Sequence, residues 1–164
     1  RTSRGLGDVY KRQEYTIAQS FMVYSIASVL TLFVAGYLID KFTSRKLLIY
    51  MNIPFLISLL ILIYFKSPVS SFFFLGLIGV SNGFANVLGS STWAELYGVK
   101  FIGSIKALTT ALMVFSTAFG TALFGLMIDF DFSIEQISMI SGGYILISLI
   151  LLFLIKNKLN PTIL

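Results

Sequence analysis

Five apolar runs separated by short polar stretches set the pattern of this chain: Ile17 to Ile39, Leu47 to Phe65, Phe72 to Trp93, Ile105 to Ile128 and Ile137 to Ile155. Each holds about 19 to 24 residues, so at about 1.5 Å rise per residue such helices cover roughly 28 to 36 Å, matching a hydrocarbon core of about 30 Å. A strand reading fails, because membrane strands alternate in polarity over about ten residues, whereas LLIYMNIPFLISLLILIYF is apolar on both parities. The expected fold is therefore an all-α membrane protein with five transmembrane helices. The connections Asp40 to Lys46, Lys66 to Ser71, Ala94 to Ser104 and Asp129 to Gln136 are short, so neighbouring helices run antiparallel. Pro54 lies inside the second run. Its missing N–H and its ring predict a kink there, tolerated where a neighbour satisfies the freed carbonyl.

Composition agrees with a bilayer as solvent. The chain is 57% hydrophobic and 12% charged, against about 25% charged residues in soluble domains. It has no cysteine and no histidine, which excludes thiolate and imidazole metal sites, disulfides and Ser-His or Cys-His catalysis. No catalytic residue, metal site or cofactor is expected, and the chain is read as a non-enzyme. The formal net charge of +5 does not point to a nucleic-acid partner, because the cations fall in short clusters between apolar runs with no basic face interleaved with aromatics.

The cations act instead as topology signals. Lys41, Arg45, Lys46, Lys100, Lys106, Lys156 and Lys158 fall on one face and Lys66 on the other, so the first face is expected to be cytoplasmic and to carry the C-terminus. Asp129, Asp131 and Glu135 mark the opposite face. Arg1, Arg4, Lys11 and Arg12 break the rule. The string RTSRGLGDVYKRQ resembles translated sequencing-adapter read-through, so residues 1–13 are set apart as non-native and 14–164 as the transmembrane domain. Excluding four basic residues and Asp8 takes the formal net charge from +5 to +2.

The most specific string is Gly36-Tyr37-Leu38-Ile39-Asp40-Lys41-Phe42-Thr43-Ser44-Arg45-Lys46. It resembles the GxLxDRxGRRxxL loop of the major facilitator superfamily: Gly36, Leu38, Asp40, Lys41, Arg45 and Lys46 fall on pattern positions, Lys41 replaces arginine, and Ser44 stands where glycine is common. Glycine allows close helix approach, Asp40 can accept charge-assisted hydrogen bonds, and the cations can anchor the loop at headgroups or merely enforce topology. A second stretch, Thr92 to Leu108, resembles the loop before the penultimate span of such carriers through Glu95, Tyr97 and Gly98. Gly36 to Asp40 also has an echo in Gly125-Leu126-Met127-Ile128-Asp129, three spans later and on the opposite face, as inverted three-helix repeats require.

The resemblance implies an incomplete six-helix half, the C-terminal one, with its first helix and the N-terminal half of the protein missing. It implies secondary active transport of a small solute by alternating access, with Gly36, Asp40, Lys41, Arg45 and Lys46 at a cytoplasmic gate. The partners would be the lipid bilayer, a small-molecule substrate with or without a coupling ion, and the missing half, in a bacterial inner membrane. A non-transporting helical scaffold or assembly subunit is the alternative.

No span carries a charge near its centre, so candidate cavity residues are neutral. Asn82, Asn86 and Ser90 recur every four residues on one face of the third run, and asparagines facing lipid would be costly. Tyr24, Ser28 and Thr31 form a similar stripe on the first run and Thr110, Thr117 and Thr121 on the fourth, although hydroxyls can also bond back to their own helix. The cavity candidates are Asn82, Asn86, Ser90, Tyr24, Ser28 and Thr117. Gly76, Gly79 and Gly83, and Gly120 with Gly125, predict close helix contacts. Phe72, Phe73 and Phe74 predict an interfacial anchor.

Overall fold

The computed structural model describes residues 2–65 and 67–159, with side chains over 15–65 and 67–155. Lys66, Lys156 and Lys158 of the charge count lie outside the described side chains. The described backbone is helical: α1 (Thr2–Phe42), α2 (Ser44–Leu47), α3 (Ile53–Tyr64), α4 (Ser70–Tyr97), α5 (Ile102–Asp129) and α6 (Ile134–Leu159), with a 3₁₀ turn at Val99–Phe101. Of the segment set apart above, residues 2–13 enter as the N-terminal extension of α1, and their side chains are outside those described.

Among the described residues, four helices are long and apolar enough to cross a bilayer: Tyr15–Phe42, Ser70–Tyr97, Val99–Asp129 and Ile134–Ile155. The second run differs from its expectation. Instead of one helix kinked at Pro54, it is a broken segment in which α2, an irregular turn over residues 48–52 and the 12-residue α3 follow one another. At about 1.5 Å per residue α3 covers roughly 18 Å, too little to span alone. Pro54 is the reason. In the first turn of α3 its missing N–H costs nothing, whereas a helix continuing from Leu47 would drive its ring into the Tyr50 carbonyl. The break exposes backbone, and α4 satisfies it: the Ser81 hydroxyl donates to the Met51 carbonyl at 2.7 Å.

Packing is strongest between α1 and α4, which lie parallel, since Tyr24 meets Gly79, Ser28 and Thr31 meet Gly83, and Ser44 meets Glu95. α3 packs on α4 and α6. The buried residues are mostly small, among them Ser20, Thr31, Ala35, Ser58, Ser81 and Ser138, while Phe33, Phe115 and Phe153 point outward. That inversion of a water-soluble core is what a lipid solvent selects, because lipid tails are as apolar as leucine and helices associate through close fit.

Glycine makes the α1–α4 fit possible at two positions. A Cβ on Gly79 would stand 2.4 Å from the Tyr24 carbonyl oxygen, and one on Gly83 would stand 2.7 Å from that of Ser28. Gly36, Gly120 and Gly125 do not follow this pattern, since a Cβ there would meet nothing within 4 Å. For Gly120 and Gly125 the cause is α5 itself, which meets α4 sparsely and has no buried residue in its apolar window. Its C-terminus closes on backbone bonds, with Asp131 in the left-handed region at φ 61°. The turn into α6 is a capping box in which Ser133 and Gln136 satisfy each other's backbone N–H groups.

Candidate functional site

Two polar clusters stand out against the apolar helices. The first lies midway along α4. Asn82 donates from Nδ2 to the Tyr24 hydroxyl at 2.8 Å, so two cavity candidates from different helices are joined. Asn82 and Asn86 are both exposed on this face, and Ser90 sits one turn on, donating weakly to the Asn86 carbonyl at 3.5 Å. Ser28 is half-buried, and its backbone, more than its hydroxyl, meets Gly83. Thr117 is not brought to this cluster. It sits on the bare α5 and donates to the Met113 carbonyl of its own helix at 2.8 Å. A cavity of about 360 Å³ opens elsewhere, at the acidic end, where Thr16, Phe65, Ser70 and Glu135 are among its lining residues.

The second cluster joins the two loop motifs at the basic end of the bundle. The Ser44 backbone N–H donates to Glu95 Oε1 at 2.9 Å, Arg45 Nη2 donates to the Glu95 carbonyl at 2.8 Å, and Arg45 Nε faces Glu95 Oε2 at 3.6 Å. The two charged side chains are 19% and 26% exposed, so their attraction is screened less than on an open surface. Glu95 thus holds the chain where α1 turns into α2. Sequence reading noted Glu95 and Arg45 separately, and nothing local could pair residues 50 apart.

Asp40 stands apart from this network: it is exposed at the end of α1 and its side chain makes no hydrogen bond or ion pair among the described residues. Lys46 is exposed as well, while Lys41 lies over the Phe42 ring, 5.4 Å from its centroid. The Tyr97 ring packs on Trp93 with centroids 5.9 Å apart. Gly98 ends α4 at φ 72°, ψ 171°, a conformation that a side chain disfavours.

Counted from Gly36, the GxLxDRxGRRxxL pattern puts its second glycine at Thr43 and its two arginines at Ser44 and Arg45, so the assignments of glycine to Ser44 and of arginine to Lys46 are each corrected by one residue. Thr43 adopts φ 75°, ψ 138°, where a β-branched residue is strained, whereas Ser44 is fully buried and used through its N–H. Glycine is therefore suited to position 43 and not to position 44. Thr43→Gly is expected to stabilise the protein by about 1 kcal/mol after glycine's own entropic cost. Thermal unfolding in detergent checks this, and a lower midpoint would contradict it.

Long apolar helices held together by small residues and a few polar contacts define an integral membrane protein of the helical-bundle class. The family model of the Major Facilitator Superfamily matches residues 10–163, and the chain belongs to that superfamily of membrane transporters. No curated protein and no solved structure gives a match. Members of the superfamily act in membranes on small solutes and are transporters, not enzymes.

Proposed function

We propose that this chain forms part of a secondary active transporter that moves a small solute by alternating access, with Tyr24, Asn82 and Asn86 lining the solute path. The observation that carries this reading is the Tyr24–Asn82 hydrogen bond on an exposed face, midway along two apolar helices. Amides placed there need water, solute or protein, since lipid cannot satisfy them. The bare α5 supports further helices around the same path, as in a carrier whose other half completes the cavity. Arg45 and Glu95 hold the loop at the gate, Asp40 and Lys46 face outward from it, and a coupling ion would bind outside the described apolar centres. By the positive-inside rule the basic end and the C-terminus lie in the cytoplasm, and the membrane is a bacterial inner membrane.

The test uses the absence of cysteine from the chain. Asn86→Cys in the full transporter is expected to react with a membrane-impermeant maleimide at least tenfold faster than Ile147→Cys on the exposed apolar face of α6. Equal, slow labelling of both, in protein that inserts normally, would show the Asn86 face to be covered and would favour a scaffold subunit.

A further inference from the structure

We infer that Ser44, Thr92 and Glu95 hold one internal water molecule that completes the junction between the two loop motifs. Ser44 is fully buried and Thr92 is 6% exposed, yet neither hydroxyl has a hydrogen-bond partner among the described residues, and Glu95 Oε2 is likewise buried without one. Buried hydroxyls without partners are uncommon, because each has lost water without compensation. Thr92 also behaves unlike Thr31, Thr109, Thr117 and Thr121, each of which donates to the carbonyl four residues back in its own helix.

The three groups sit on one turn of α4 and on the residue bonded to it. Thr92 and Glu95 are three residues apart on α4 and so share a face, and Ser44 is tied to Glu95 through its N–H at 2.9 Å. The charges around the site select the ligand. Arg45 Nε at 3.6 Å from Glu95 Oε2 opposes a cation, and the Glu95 carboxylate opposes an anion. A small neutral molecule that both donates and accepts fits. Water can donate to Glu95 Oε2 and to one hydroxyl oxygen while accepting from the other hydroxyl, three bonds in all, the usual number for a buried water.

The proposal rests on the junction's geometry and not on the transport reading, so each can fail separately. In purified, membrane-extracted protein, Thr92→Val keeps the side-chain shape and removes the hydroxyl. It is expected to raise the unfolding constant about fivefold. Thr92→Ser should restore parental stability, and Ser44→Ala combined with Thr92→Val should be little worse than either alone, because the water is lost once. A structure of the parental protein at about 2 Å should show a solvent peak within hydrogen-bonding distance of all three oxygens. Thr92→Val at or above parental stability, the result for a merely orphaned hydroxyl, or no solvent peak at the junction, would overturn the proposal.

Discussion

Gly79→Val is expected to cost more than about 3 kcal/mol and to abolish stable assembly of the α1–α4 pair, the largest single-site loss in this protein. The first added carbon already stands 2.4 Å from the Tyr24 carbonyl oxygen, where a C–H···O contact needs about 3.3 Å or more. Backbone cannot rotate away as a side chain can, so the two helices must separate by about 1 Å, which opens the packing along their length. Because Tyr24 moves with its backbone, the Tyr24–Asn82 bond is strained as well. Gly89→Ala in the same helix is the control: nothing lies within 4 Å of its Cβ, and alanine is the better helix former by about 1 kcal/mol. Expression level and the thermal midpoint in detergent separate the two. Equal effects at Gly79 and Gly89 would mean that α1 and α4 do not meet as described.

Glu95→Ala is expected to lower stability by about 2 kcal/mol and to loosen the loop between α1 and α2. The change strips a partner from the Ser44 N–H and leaves a mostly buried Arg45 beside an uncharged site. A stranded buried donor costs about 1–3 kcal/mol, and the charge term is held to the lower part of its range by the partial exposure of both groups. Glu95→Gln should fall between, since its amide oxygen can still accept from Ser44 while the attraction to Arg45 is lost. Protease cleavage and amide exchange across residues 43–48 report the loosening directly. Unchanged protection in Glu95→Ala would sink the assignment of Glu95 as the residue that holds this loop.

The apolar runs were readable because helix formation inside a bilayer is a local matter: each backbone group bonds within its own segment, and length follows from bilayer thickness. The polar stripe of Asn82 and Asn86 was readable for the same reason, as four-residue spacing places residues on one face of any helix. The second run was less legible. Its hydropathy continues unbroken through residues 47–65, and the break appears where the Pro54 ring meets the preceding turn and Ser81 offers a hydroxyl from another helix. The second glycine of the motif pattern, counted from Gly36, falls on Thr43, and the positive φ there shows why that position suits glycine, while Ser44 beside it is held by Glu95.

The sequence by itself determined the solvent of this protein, its helices and the polarity of their ends, all of which depend on neighbours within a few residues. Tertiary structure decided which polar groups meet: Tyr24 with Asn82, Ser81 with Met51, and Ser44 and Arg45 with Glu95. The physical reason lies in the lipid. Where apolar side chains gain nothing by choosing one another over the surrounding tails, partner selection falls to a few small-residue contacts and hydrogen bonds between distant parts of the chain, and hydropathy does not record those.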